Sequence, residues 1–364
     1  MRDFRPRGPP GRKRDASGAI RAPGRRGGEP SLSARILVTG AAGFIGSHVS
    51  ALLLARGDEV VGLDSFDPYY APARKRQNVE DVRAGPGGGR FTLVEGDIRD
   101  RTLLDRLFTR GIDAVAHLAG LAGVRASVER PQDYVDVNVM GTVNVLEAAR
   151  CGGAKNFVLV STSSAYGNAP PPFVETHPAD RPLAPYAATK RAAEMLCHSY
   201  HHMHGLPCNV VRLFTAYGPR NRPDMMAFKV LDSIFTGREI PLFGGGDMVR
   251  DWTYVEDIAR GIAAALDRPL GYEIFNLGHG QPLHLSEFIA ALESLAGRRA
   301  NLVPVPRLES DAVATGADID KARRLLGFTP KVSVAEGVER LFHWYVERIA
   351  EAARPAPRRT AHGG

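Results

Sequence analysis

Apolar residues enter this chain in short blocks. From Arg35 onward the blocks fall into two alternating kinds. Ile36-Leu37-Val38 is an uninterrupted apolar run of strand length, followed by a glycine-rich turn and a helical stretch from Phe44 to about Arg56. A second apolar strand, Glu59 to Leu63, ends in Asp64, and further strands are predicted at Phe91 to Val94, Ala114 to His117, Phe157 to Val160 and Asn209 to Leu213. Helical segments separate them. Strands alternating with helices give right-handed crossovers, so the pattern predicts an α/β fold with a doubly wound parallel sheet, mainly over residues 35–216. Beyond about Tyr217 the alternation weakens. Gly244-Gly245-Gly246, the Pro304/Pro306 pair and shorter helices there predict a smaller C-terminal substrate-binding lobe, mainly over 217–350.

Charge changes this picture at the ends only. The formal net charge is +7, which raises a nucleic-acid partner as a possibility. Residues 1–34, however, carry nine of the Arg/Lys residues against Asp3, Asp15 and Glu29, so the rest of the chain is close to neutral. That segment is rich in Gly and Pro and has no apolar periodicity, which predicts a disordered basic extension and no nucleic-acid arm. The stretch 351–364, with Pro355, Pro357 and Gly363-Gly364, reads as a disordered tail. No apolar run approaches the roughly 18 residues that a membrane span needs, and the basic N-terminus leads into no signal-type apolar core. Cys151, Cys197 and Cys208 show no C-x-x-C spacing, so neither disulfides nor a metal site is expected. A soluble protein in a reducing cytoplasm fits best.

Gly40, Gly43 and Gly46 form G-x-x-G-x-x-G between the first strand and the first helix. The first glycine permits the tight turn, the second lets backbone approach a pyrophosphate, and the third lets helix pack on sheet. The helix start, Phe44 and Ile45 included, then presents unpaired N–H groups to phosphate. Asp64 stands eighteen residues after Gly46, where a carboxylate accepts hydrogen bonds from the adenosine ribose and repels a 2′-phosphate. This is the signature of a Rossmann dinucleotide site for NAD, not NADP. Asp97-Ile98 is placed to meet the adenine edge and Leu118-Ala119 to line the cofactor. His117 reads as a hydrogen-bonded structural residue. His201, His202 and His204 read as favourable charges at a helix C-terminus and not as metal ligands.

Tyr186-Ala187-Ala188-Thr189-Lys190 places a phenol and an ammonium one turn apart on one helix face. A phenol titrates near 10 and is a poor base at neutral pH, so a cation beside it is expected to lower its pKa. Lys190 and the positive nicotinamide ring are the expected sources. The strand end Ser161-Thr162-Ser163-Ser164 supplies hydroxyls to the same cleft, with Thr162 as the second proton-handling group.

These residues together resemble the extended short-chain dehydrogenase/reductases of the NAD-dependent epimerase/dehydratase family, which act on nucleotide sugars. The resemblance runs from about Arg35 to Val346 and is strongest to the UDP-glucuronate 4-epimerases. Asp64-Ser65-Phe66-Asp67-Pro68-Tyr69-Tyr70, Ala122-Gly123-Val124-Arg125 with Ser127, Phe214-Thr215-Ala216-Tyr217-Gly218-Pro219, Arg222-Pro223-Asp224-Met225 and Arg250-Asp251-Trp252-Thr253-Tyr254 carry the narrower match. Dehydratases of the family place an Asp-Glu pair where Ser163-Ser164 stand, decarboxylases a Glu where Ser164 stands, and galactose-type 4-epimerases an Asn where Thr215 stands.

The resemblance implies a UDP-sugar substrate, with UDP-glucuronate epimerised at C4 through a transient 4-keto sugar. It assigns Thr162, Tyr186 and Lys190 to catalysis, and Ser163, Ser164, Thr215 and Arg222 to the C6 carboxylate. Arg250 would meet the pyrophosphate, Asp311 the uridine ribose, and Phe228 and Lys229 the uracil through backbone, with Arg125 also on the substrate side. A homodimer is the expected assembly. UDP-glucose 4-epimerisation and UDP-glucuronate decarboxylation remain alternatives, as does a non-catalytic NAD-binding regulator, against which the intact Thr162/Tyr186/Lys190 set argues.

Overall fold

The structure is a computed structural model that describes residues 33–350. The basic extension expected at 1–34 lies outside the described residues except for its last two positions, and the tail expected at 351–364 lies wholly outside them.

The apolar runs form strands β1 (Arg35–Thr39), β2 (Glu59–Asp64), β3 (Phe91–Glu95), β4 (Ala114–His117), β5 (Asn156–Thr162) and β6 (Cys208–Leu213). A seventh strand, Tyr272–Leu277, pairs in parallel with β6. The sheet runs from this edge strand through β6, β5, β4, β1 and β2 to β3, all parallel. The order reverses between β1 and β4, and a crevice opens there at the strands' carboxyl ends. Both faces are covered because parallel strands with apolar residues on both sides must be buried twice. One face packs against helix α1 (Phe44–Ala55) and the Val255–Leu266 helix, with Val38, Val49, Leu53 and Ile258 in its core. The other packs against Arg101–Phe108, Gly141–Cys151 and Pro185–His204, with Leu37, Leu146, Phe157 and Leu159 inside.

The chain leaves the large sheet after β6 and returns to it at Tyr272–Leu277, so the part expected to form the second lobe also completes the first. Its remaining elements build a third core from the Met226–Thr236, Leu285–Ala296 and Val334–Tyr345 helices. Trp252 stacks on Phe288 there, with ring centroids 3.8 Å apart. At the free side of the edge strand the Asn276 N–H donates to Glu175 Oε1 at 2.8 Å, and Lys321 Nζ lies 2.7 Å from Glu273 Oε2.

Candidate active site

Residues from nine segments meet in a cleft of about 430 Å³ at the β1/β4 crevice. The glycine turn forms its floor. Gly40 sits at φ +71°, and a Cβ on it would come within 2.9 Å of the Ala119 amide nitrogen; a Cβ on Gly46 would lie 2.1 Å from the Gly40 carbonyl oxygen. Only bare backbone fits, and it forms a cradle open to a diphosphate. α1 begins at Gly43 with no side-chain cap and no acidic residue in its first turn, so the amides of Phe44, Ile45 and Gly46 have no intrahelical acceptor and face the cleft. The chain thus fits the dinucleotide that its glycine spacing implies.

Asp64 and Asp97 stand along the same cleft. The Asp64 carboxylate accepts from the Ala42 N–H at 3.0 Å and the Phe66 N–H at 2.9 Å, one bond per oxygen, which leaves a lone pair on each for ribose hydroxyls. Lys75, which had no role in the sequence reading, lies with its Nζ 3.7 Å from Asp64 Oδ1 and offsets part of that charge. Arg99 grips Asp97 with two side-chain bonds of 2.8 and 3.1 Å and a backbone bond, which together hold the carboxyl below its ordinary pKa. Ile98, Leu118 and Ala119 also line the cleft.

His117 is fully buried, and both ring nitrogens are bonded. Thr142 Oγ1 donates to the Asn138 carbonyl at 2.6 Å and so accepts from His117 Nε2 at 3.0 Å; Nδ1 then accepts from Thr39 Oγ1 at 2.8 Å. The Thr39 hydroxyl in turn accepts the Leu118 and Ala119 N–H groups at 3.1 Å. Burial, then the nearby Lys190 charge, pushes the imidazole down to about 3, so it is neutral and structural. His201, His202 and His204 occupy the last turn of the Pro185–His204 helix, and no cluster of metal-ligating side chains occurs among the described residues.

Pro185 fixes the start of that helix, so Tyr186 falls in its first turn and Lys190 one turn deeper. Asn138, in a widened turn of the helix before β5, donates to Thr189 Oγ1 at 3.1 Å and to the Leu121 carbonyl at 3.0 Å, which ties this helix to the end of β4. Burial raises the Tyr186 phenol above its usual value, opposed by a hydrogen bond from Thr162 and by the charge of Arg222. Burial pushes Lys190, one turn away, down to about 8, against the charge of Glu194.

Thr162 caps the turn after β5 by accepting the Ser164 N–H at 3.1 Å, and it donates to Ser164 Oγ at 3.1 Å. To oppose the rise of the Tyr186 phenol, the Thr162 proton must turn from Ser164 Oγ to the phenolate oxygen. Ser163, Ser164, Thr215 and Arg222 line the cleft beside it. Arg222 Nε and Nη2 each donate to Asp224 at 2.9 Å, and the Tyr69 hydroxyl donates to the same carboxylate at 3.3 Å. Tyr70, also lining the cleft, has a buried hydroxyl with no partner among the described residues. The segments holding Tyr69, Tyr70 and Asp224 were legible as a resemblance, but their contacts were not.

The remaining predicted residues are not part of that cavity's wall. Arg125, Lys229, Arg250 and Asp311 form an adjoining charged group. Arg125 Nη2 lies 3.2 Å from Asp311 Oδ2, and its guanidinium stacks 3.7 Å from the Phe243 ring centroid. Arg250 donates to the carbonyls of Val249, Ala312 and Val313 at 2.8 to 3.1 Å and feels the Asp311 charge. Lys229 is pushed down by burial and then by the charge of Arg125, while Asp224 raises it. The Phe228 ring is buried in the third core under the Arg74 guanidinium, which leaves only its backbone for a ligand.

The sequence profile of the NAD dependent epimerase/dehydratase family matches residues 36–278. A UDP-glucuronate 4-epimerase of Thermodesulfobacterium geofontis (strain OPF15) is 44% identical over 315 residues, covering 86% of this chain and 96% of that protein. The crystal structure of UDP-glucuronic acid 4-epimerase from Bacillus cereus in complex with UDP-glucuronic acid and NAD superposes with a TM-score of 0.81 at 36% identity, over 86% of this chain and 99% of that one. UDP-glucose 4-epimerase from Thermotoga maritima with UDP-glucose gives 0.78 at 30% identity, over 86% and 99%. By the profile match over residues 36–278 and by these identities, the chain belongs to the NAD-dependent epimerase/dehydratase family.

Proposed function

We propose that this enzyme interconverts UDP-glucuronate and UDP-galacturonate by NAD-dependent epimerisation at C4. The observation that carries the reading is the meeting of Ser163, Ser164, Thr215 and Arg222 with Thr162, Tyr186 and Lys190 in one cleft: a carboxylate-binding set beside a proton-handling set. Tyr186 takes the C4 hydroxyl proton, with Thr162 bridging, and Lys190 holds its charge beneath them. Bound NAD supplies the acceptor for the C4 hydride and its later return. The 4-keto sugar turns over in the cleft, so that the hydride comes back on the opposite face and Tyr186 returns the proton. Arg250 and Arg125 would meet the diphosphate and Asp311 the uridine ribose. The Ser-Ser pair at 163–164 offers no carboxylic acid to eliminate water, which argues against dehydration.

A homodimer in the cytoplasm is part of the same reading. Val128, Val135, Met140 and Met195 are exposed apolar side chains on the helices between β4 and β6, which a second copy would cover. No helix among the described residues is long and apolar enough to cross a membrane.

The test is Arg222→Ala. Loss of a charge-assisted contact to the C6 carboxylate costs about 1.5–3 kcal/mol, or roughly ten- to a hundredfold in affinity for UDP-glucuronate. Affinity for UDP-glucose, which lacks the carboxylate, should change far less. Calorimetric titration with both nucleotides decides it, and product NMR on the parent enzyme distinguishes epimer from CO₂ release. Equal weakening of both sugars, or CO₂ as the main product, would move the assignment to the neutral-sugar or decarboxylase alternatives.

A further inference from the structure

Three residues with no assigned chemistry, Asp224, Tyr69 and Gly123, are linked to Arg222 in turn. Asp224 takes the guanidinium's Nε and Nη2 in a fork of two 2.9 Å bonds. Tyr69 donates to Asp224 Oδ2 at 3.3 Å. Gly123 makes room for that hydroxyl: it sits at φ +100°, and a Cβ on it would lie 2.3 Å from Tyr69 Oη. The pieces come from residues 65–70, 122–125 and 222–225, far apart in sequence. Arg222 lines the cleft, and Asp224 holds its guanidinium from one side.

Two of the five guanidinium N–H groups are thereby committed, and three remain for a second acceptor. The cation facing the sugar is also neutralised by its partner. A C6 carboxylate arriving at Arg222 meets a shared donor and the like charge of Asp224 on the same guanidinium. This weakening matters for epimerisation, because the carboxylate sits on C5, next to the carbon being inverted, and must move when the 4-keto sugar turns over. A lone buried arginine would hold it too well.

We propose that Asp224, steadied by Tyr69, is a specificity and release residue: it shares Arg222 with the sugar carboxylate, so that uronates are recognised yet the 4-keto sugar can turn. This rests on the reading that Arg222 meets the C6 carboxylate. Asp224 acts through Arg222 and is a positioning residue.

Asp224→Asn removes the competing charge with little change in shape. UDP-glucuronate affinity, titrated in a Tyr186→Phe background to prevent turnover, should rise several-fold, up to about tenfold for a charge-assisted contact no longer shared. UDP-glucose affinity should stay within about twofold. With Tyr186 restored, kcat for UDP-glucuronate should fall by at least a similar factor while KM also falls. Tyr69→Phe, which deletes only the 3.3 Å bond, should move both quantities the same way by less. If Asp224→Asn instead raises KM and lowers kcat together, Asp224 merely holds Arg222 in place and the proposal is overturned; unchanged constants overturn it equally. Should Asp224→Asn fail to fold by circular dichroism, Tyr69→Phe decides alone, and an unchanged KM and kcat there rejects the idea. Failure of the underlying reading is separate, since it would appear as Arg222→Ala weakening both sugars alike.

Discussion

Tyr186→Phe should abolish turnover while leaving nucleotide binding intact. The ring keeps its place against Tyr134, 6.3 Å away edge to face, and only the hydroxyl is lost. General acid–base groups contribute roughly 10²–10⁴-fold, and the whole of that should disappear here, because oxidation at C4 opens every route from the 4-keto sugar. Epimer and any CO₂ must vanish together. The pH profile gives a finer check. Burial raises the Tyr186 phenol, and the Thr162 hydrogen bond is the first influence opposing it. Removing that bond in Thr162→Ala raises the phenol further, so less phenolate exists at a given pH, and the acidic limb of kcat/KM should move to higher pH. A limb that stays put while activity falls would mean that Thr162 caps the turn after β5 and does nothing for the proton.

Glu194→Ala should be the most destabilising single change near the site. Glu194 and Arg212 are almost fully buried and joined by two bonds, Nε to Oε1 at 3.0 Å and Nη2 to Oε2 at 2.7 Å; Ser161 Oγ adds a third to the carboxylate at 2.5 Å and Arg191 Nη1 a fourth at 2.9 Å. The pair staples the Pro185–His204 helix to β5 and β6. Removing one partner strands a buried guanidinium and typically costs about 3–5 kcal/mol, whereas replacing both by apolar residues of similar volume is often neutral. Denaturant unfolding of Glu194→Ala and of the Glu194→Leu/Arg212→Met double variant should therefore differ widely. A single-variant loss below about 1 kcal/mol would place the pair among ordinary surface ion pairs. Glu194→Gln isolates the electrostatic part. Burial pushes Lys190 down to about 8, and Glu194 is the first charge resisting that. Without it Lys190 sheds its proton at lower pH, and the alkaline limb of activity should move downward.

Strands β1 to β6 were legible because each is an apolar run bounded by turn residues, and the observed ends lie within one or two positions of those predicted. The glycine cradle was legible for a related reason: strand, turn and helix are contiguous, so spacing alone reports geometry. The edge strand Tyr272–Leu277 was missed because it carries Glu273 and Asn276, whose partners, Lys321 and the backbone of Phe173 and Asp318, come from far along the chain. Arg222 shows the limit most clearly. A motif can nominate a cation for a carboxylate, but it cannot show that Asp224 has already taken two of its donors. Nor could spacing show that Thr162 and Arg222 both oppose the rise of the Tyr186 phenol.

The Glu175 carboxylate at the sheet margin bears on how this protein behaves in storage. A seven-stranded sheet ending in a parallel strand offers its outward amides as a template for another chain. Here the Asn276 amide is occupied by Glu175, and the neighbouring segment at 314–318 crosses the same margin through Phe173 and Ala317. Burial raises Glu175 above the ordinary carboxylate range, so it takes up a proton earlier than surface acids as solutions are acidified. Losing that charge weakens the bond to the Asn276 amide, and association between copies at this margin is the expected result. Light scattering should rise on mild acidification before the fold melts, and Glu175→Gln should scatter already at neutral pH. A flat trace for both would show that the 314–318 crossing alone keeps the enzyme from polymerising.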